Sequence, residues 1–296
     1  MSHRKMHAGE IDINEPLVKQ LLQEQFPQWA ELPLTRVPSA GTDHAIYKLG
    51  VDMCVRLPRI AGAAKHVEKE QYWLSRLAPH LPLAVPVPLG QGIPQERYPW
   101  PWSICRWLEG GDATAEKITD MHQAAVDLAQ FIKSLQQIDS VGGPTARRGQ
   151  PLATQDTAVQ NALESLHGAV DTQTAALIWR SCLDAPIWHK PPVWIHGDLL
   201  PANLLVQNGH LSAVIDFELM GVGDPACDLI PAWSLFSSDT RDVFRATLGV
   251  VDATWMRGKG WALSIALIIL PYYQNTNPGL FTVGKRMLDE VLADRS

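Results

Sequence analysis

The fold is read first from Trp194-Ile195-His196-Gly197-Asp198-Leu199-Leu200-Pro201-Ala202-Asn203-Leu204-Leu205-Val206. Apolar residues flank a polar loop on both sides, so the loop is expected at the mouths of two short buried strands. Thirteen residues after Asn203, a second carboxylate, Asp216, follows another apolar strand, Leu211–Ile215. Asp198, Asn203 and Asp216 thus put three oxygen-bearing side chains at strand ends. Such a set suits Mg²⁺, a hard ion that takes a few carboxylate or amide oxygens and completes its shell with phosphates. One carboxylate is left to accept a proton from a hydroxyl.

The spacing resembles the protein-kinase pattern H-R-D-x-x-x-x-N followed by D-F-G, with Gly197 in place of the Arg. His196-Gly197-Asp198, Asn203 and Ile215-Asp216, with Gly223-Asp224-Pro225-Ala226-Cys227-Asp228-Leu229 downstream, resemble the aminoglycoside phosphotransferase family of small-molecule kinases. The resemblance implies a two-lobed, protein-kinase-like α+β fold, with an antiparallel sheet plus helix at the N-terminus and a mainly helical C-terminal lobe. It implies ATP or GTP as donor, Mg²⁺ as cofactor and a small hydroxylated acceptor. Asp198 takes the catalytic role, and Asn203 and Asp216 are the implied metal ligands. His196 supports the catalytic loop by hydrogen bonding, and Asp224 and Asp228 cap the next helix or brace that loop. Phe217 is followed by Glu218 rather than Gly, and Asp224-Pro225 arrives eight residues after Asp216. That leaves no room for a protein-kinase activation segment.

The N-terminal part is consistent with this. A helix is expected over Pro16–Trp29, a short apolar segment over Pro33–Val37, and a hairpin of His44–Leu49 and Met53–Leu57 around Gly50-Val51-Asp52. A helix over Ala63–Ala78 follows. Seven prolines between Pro79 and Pro101 exclude a long helix there, and a strand closes the lobe at Trp102–Leu108. A kinase needs a cation on a strand for the donor phosphates and a Glu on the next helix to tether it. The strand offers Arg56, in the context Arg56-Leu57-Pro58-Arg59, where Lys is usual. The helix offers Glu70, on one stripe with Leu74 and Leu77, with Glu68 the weaker candidate. Thr42, beside the single Gly41 of the first hairpin, is the candidate cover for a phosphate. Arg106 C=O and Leu108 N–H are the candidate readers of the nucleotide base, in a hinge at Ser103–Gly110.

The lobes are expected as 1–108, nucleotide-binding, and 109–296, carrying the catalytic loop, metal site and acceptor pocket. Helices are expected at Ile118–Ile138, Asp156–Leu183, Arg241–Leu248, Trp255–Leu270 (ending at Pro271) and Val283–Ala293, with a polar loop at Gly142–Pro151. Asp156, Glu164, Asp171 and Asp184 are the carboxylates on offer to a cationic acceptor, each read first as a surface charge.

Composition narrows the class. Hydrophobic residues make up 46% of 296, enough for a sizeable core. A net charge of −6 argues against a nucleic-acid binder. The four cysteines form no C-x-x-C pair and read as reduced thiols. Neither a signal peptide nor a membrane span is visible, so a cytoplasmic protein is expected. The competing readings are a catalytically idle kinase-like protein that binds nucleotide or a partner, motivated by Arg56 and Glu218, and a protein kinase, disfavoured by Gly197 and the missing activation segment.

Overall fold

The computed structural model describes residues 11–37, 43–274 and 277–294. By internal contacts the chain divides into two compact units, Met1–Pro79 with Ala84–Glu109, and His80–Leu83 with Gly110–Ser296.

The first unit begins with α1 (Glu15–Gln25), whose N-terminus is capped by the Asn14 side chain accepting the Leu17 N–H at 3.0 Å. The expected helix stops short of Trp29 because Pro27 has no N–H to continue the ladder; one 3₁₀ turn, Pro27–Trp29, remains. Eleven residues of helix are marginal alone. Burial of Val18, Leu21 and Leu22 holds α1 in place, at roughly 1.5–3 kcal/mol for each large side chain. The strands are β1 (Leu34–Arg36), β2 (His44–Leu49) and β3 (Met53–Pro58), then helix α2 (Ala61–Leu77), β4 (Pro88–Gly92) and β5 (Trp102–Arg106). They form one five-stranded antiparallel sheet in the order β1-β2-β3-β5-β4. Tyr47, Val55, Leu57, Trp102 and Ile104 meet the α1 side chains in its core. The last strand ends at Arg106, two residues before the expected Leu108, though the Trp107 N–H still reaches Asp52 O at 2.7 Å.

The second unit contains β6 (Gly111–Asp112), α3 (Met121–Gln137), α4 (Asp156–Ser165), α5 (Thr172–Leu183), β7 (Val193–Ile195), β8 (Leu204–Gln207), β9 (His210–Val214) and β10 (Gly221–Gly223). Helices α6 (Pro231–Ser234), α7 (Ser238–Leu248), α8 (Asp252–Tyr273) and α9 (Pro278–Ala293) complete it. Two small sheets, β10-β7 and β6-β8-β9, support the loops between them.

Two expectations are corrected here. The helical stretch Asp156–Leu183 is two helices, because the chain leaves α4 after Ser165 and restarts where Asp171 caps α5 by accepting the Thr174 N–H at 3.0 Å. Pro271 does not end α8, which runs to Tyr273; in the last turn the missing N–H forfeits one ladder bond and interrupts nothing beyond it. By internal contacts the second unit takes up the chain again at Gly110 and includes His80–Leu83. His80 shares a surface depression with Ser134, Gln137, Ile138 and Asp139 at the end of α3.

All four cysteines are buried and free. Among the described residues no helix is long and apolar enough to cross a membrane.

Candidate functional site

The loop from β7 to β8 is built on buried Asp228. One of its oxygens accepts the His196 N–H and the other the Gly197 N–H, each at 2.8 Å. Asp228 sits in the 3₁₀ turn Pro225–Leu229. Asp224 caps that turn by accepting the Ala226 N–H at 3.0 Å, and is itself gripped by Arg257 Nε at 2.7 Å. The two acidic residues therefore divide the expected roles: Asp224 caps and Asp228 braces. Burial pushes the Asp228 carboxyl up to about 6, against the two N–H bonds that favour its ionised form.

His196 is fully buried. Its Nδ1 accepts the Asp198 N–H at 3.1 Å, which assigns the ring proton to Nε2, donating to Ile215 O at 3.0 Å. Burial pulls its pKa down to about 4, so the ring is neutral. Nδ1 fixes the turn of the loop itself, and Nε2 ties the loop to the residue that follows β9. Phe217 packs edge-on against the ring at 4.5 Å.

Gly197 explains the departure from H-R-D. Its φ is +85°, and a Cβ there would lie 2.8 Å from Leu219 O. A side chain at this position meets both left-handed backbone and a fixed carbonyl.

Asp198 is held from two sides. Asn203 Nδ2 donates to its carbonyl at 2.8 Å and to its Oδ2 at 3.1 Å. Arg148 Nη1 pairs with Oδ1. With its nitrogen on Asp198, Asn203 turns its own Oδ1 the other way. The Ile215 N–H donates to Asn203 O at 2.9 Å, so the backbone before Asp216 is tied to Asn203. Asp216 itself takes φ +65°, a left-handed conformation that Asp tolerates better than most residues and that recurs at functional turns.

In the first unit Arg56, on β3, is buried and pairs with Glu70 Oε2 of α2 at 2.9 Å. Glu70 lies on the buried stripe of α2 with Leu74 and Leu77, while Glu68 is exposed. Glu70 Oε1 is buried without a hydrogen-bond partner. His44 lies near this pair: burial first, then the Arg56 charge, bring its pKa down to about 3. Ion pairs this buried add little net stability, since desolvation offsets the attraction. The Arg106 N–H reaches Val87 O at 2.9 Å, its side chain is exposed, and Leu108 is half-buried. Thr42 lies outside the described residues.

The structure thus joins Asp198 to Asn203 and ties Asp216 to them through backbone; it separately pairs Arg56 with Glu70. It does not gather the acidic residues offered to an acceptor. Asp156 accepts from Trp179 Nε1 at 2.7 Å, Asp171 caps α5, and Glu164 and Asp184 are exposed. Sequence reasoning missed Arg148, passed over as part of a polar loop; its only signal was the basic pair Arg147-Arg148 amid Gly and Pro.

A family model described as a phosphotransferase enzyme family, APH, matches residues 35–261, well over half of the chain. Among solved structures, the GDP and kanamycin complex of APH(2")-IIia superposes with a TM-score of 0.74 at 18% identity, covering 95% of this chain and 100% of that one. Macrolide 2'-phosphotransferase MphH from Brachybacterium faecium gives 0.64 at 20% identity over 93% and 97%. The streptomycin–ATP ternary complex of APH(2")-IIa gives 0.58 at 15% identity over 94% and 97%. At these identities the likeness establishes the fold, which is kinase-like. A search of curated proteins finds no match.

Proposed function

The chain belongs to the phosphotransferase enzyme family, a family of nucleoside-triphosphate-dependent small-molecule phosphotransferases, and from that premise we propose that it moves the γ-phosphoryl group of ATP or GTP to a hydroxyl of a small molecule in the cytoplasm. Aminoglycoside-like antibiotics are the acceptor class to test first, because solved neighbours were captured with kanamycin or streptomycin. Macrolides come next, on the likeness to MphH. A role in antibiotic resistance would follow from either. The observation that carries the proposal is the locked pair of Asp198 and Asn203, with Asp216 tied behind it.

In this reading Asp198 orients the acceptor hydroxyl and takes its proton late, as a loose phosphoryl-transfer transition state requires. Asn203 Oδ1 and the Asp216 carboxylate would hold Mg²⁺. The chemistry of the donor set fits: one amide and one carboxylate oxygen suit a hard ion that completes its shell from phosphates. When bound, Mg²⁺ neutralises charge on the phosphates. Arg56, fixed by Glu70, supplies the cation for the donor phosphates; a planar guanidinium can do this through two parallel bonds. Arg106 C=O and Leu108 N–H would read the nucleotide base, and Thr42 would cover a phosphate. Nothing in the intact pairs of Asp198 and Arg56 favours an idle protein.

The test is incubation with MgATP or MgGTP and a panel of aminoglycosides, macrolides and hydroxylated metabolites, read by mass spectrometry for one added phosphoryl group. A product with wild type and none with Asp216→Ala supports the assignment. Absence of product and of nucleotide turnover across the panel would refute it.

A further inference from the structure

Residues Pro144–Gly149 belong to no element expected from the sequence, yet Pro144–Ala146 is fixed like a strand and Arg147–Gly149 closes into one 3₁₀ turn. The Ala146 N–H donates to Val222 O at 3.0 Å, the Val222 N–H to Pro144 O at 2.8 Å, and the Asp224 N–H to Gly149 O at 2.9 Å. Thr145 pairs with Val222 in parallel, on the edge of β10 away from β7. The backbones approach so closely that a Cβ on Gly149 would lie 2.8 Å from Gly223 Cα, and one on Gly223 would lie 2.5 Å from Gly149 O. Two glycines, 149 and 223, allow this annexation.

The annexed segment delivers one side chain to the catalytic loop. Arg148 Nη1 donates to Gly197 O at 3.0 Å and to Asp198 Oδ1. A short carboxylate side chain has two soft torsions, and holding its two oxygens from different directions removes both. Asn203 grips Oδ2 from the loop's C-terminal side; Arg148 grips Oδ1 from a separate segment. Each carboxylate oxygen keeps a further lone pair, so the anchored group can still receive an acceptor hydroxyl.

We propose that Arg148 is a positioning residue for phosphoryl transfer, fixing the rotamer of Asp198 so that the carboxylate is preorganised for the acceptor hydroxyl. The proposal rests on the reading of Asp198 as the group that orients that hydroxyl. Misplacing a reacting group by about 1 Å can cost on the order of 10²-fold in rate, which sets the scale expected for loss of the anchor.

The test uses the full chain and two independent measurements. The first is turnover of MgATP or MgGTP with water as acceptor, for wild type, Arg148→Ala, Arg148→Lys, Asp198→Asn and the double variant Arg148→Ala/Asp198→Asn. Arg148→Ala should lower kcat by about 10–10²-fold and leave the nucleotide KM within a few-fold. Added guanidinium ion should restore part of the loss, and Arg148→Lys should fall between. In the Asp198→Asn background, Arg148→Ala should cost little more, because residues acting as one unit are non-additive. An equal loss in both backgrounds, a full-activity Arg148→Ala, or a loss without guanidinium rescue would overturn the proposal. If Asp198→Asn alone left turnover intact, the role of Asp198 would fail instead.

The second measurement is amide hydrogen exchange, which needs no activity. Arg148→Ala should speed exchange in residues 197–200 and leave β7 and β10 protected. Faster exchange through both strands would make Arg148 a support of the fold and overturn the positioning role; unchanged exchange in 197–200 would overturn it as well.

Discussion

Asp228→Asn separates catalysis from stability. At pH 7 the ionised carboxylate sits in a fully buried position where its pKa is pushed from 3.8 to about 6, which corresponds to a cost to the fold of about 3 kcal/mol for keeping it charged. Asn removes that cost. It also replaces one of two acceptor oxygens with an NH₂ that faces a backbone N–H, either His196 or Gly197. A buried N–H left unsatisfied costs roughly 1–3 kcal/mol. The opposing effects nearly cancel, so the melting temperature should move by only a few degrees, at about 2–4 °C per kcal/mol for a domain of this size. Catalysis has no such compensation. The N–H that loses its acceptor swings the turn carrying Asp198, and kcat should fall by about 10²-fold on the usual cost of misplacement. The pH dependence carries the sign. A carboxyl whose folded pKa is raised contributes stability below its unfolded value, and that contribution is lost as pH rises through the folded one. Wild type should therefore lose stability relative to Asp228→Asn between pH 4 and 6, and the difference should then level off. Thermal melts of both proteins across that range, with turnover at pH 7.5, make the measurement. A variant with normal kcat, or one whose melting temperature collapses, would refute the reasoning.

Asp198→Asn keeps size and one acceptor oxygen but loses charge and basicity; kcat should fall by about 10²–10⁴ with nucleotide affinity little changed, as checked by turnover and nucleotide titration. Arg56→Ala should weaken nucleotide binding as well as turnover, and by stranding the buried Glu70 carboxylate it should destabilise the first unit by about 3–5 kcal/mol, read by titration and denaturant unfolding. His44 has a folded pKa of about 3 against 6.5, so it contributes stability above pH 6.5 that is lost as pH falls. His44→Gln should therefore be less acid-sensitive than wild type, by roughly 2–3 kcal/mol between pH 7 and 4.5 in paired urea melts.

What the sequence made legible was local, and what it hid was annexed. The His196–Val206 loop, the strands around it and the Arg56–Glu70 pair announce themselves because periodicity and short spacing fix them: an arginine on a strand and a glutamate one helix later meet at 2.9 Å because the α2 stripe leaves Glu70 no other buried neighbour of opposite charge on β3. Helix ends were less visible. Pro27 broke α1 where periodicity continued, and Pro271 failed to break α8 because it fell in the last turn. Arg148 was invisible for a different reason. It lies 50 residues from Asp198 in the chain, in a segment with neither helical nor strand period, and its position depends on backbone bonds to Val222 and Asp224 that no side-chain pattern encodes. The glycines that permit those bonds look like ordinary loop glycines until the two backbones are seen side by side. A catalytic loop can be read from its own residues, but the residues that aim it come from wherever the fold brings a backbone within reach. A search for such groups in related chains should therefore start from small residues facing β10 and only then ask which charged side chain follows them.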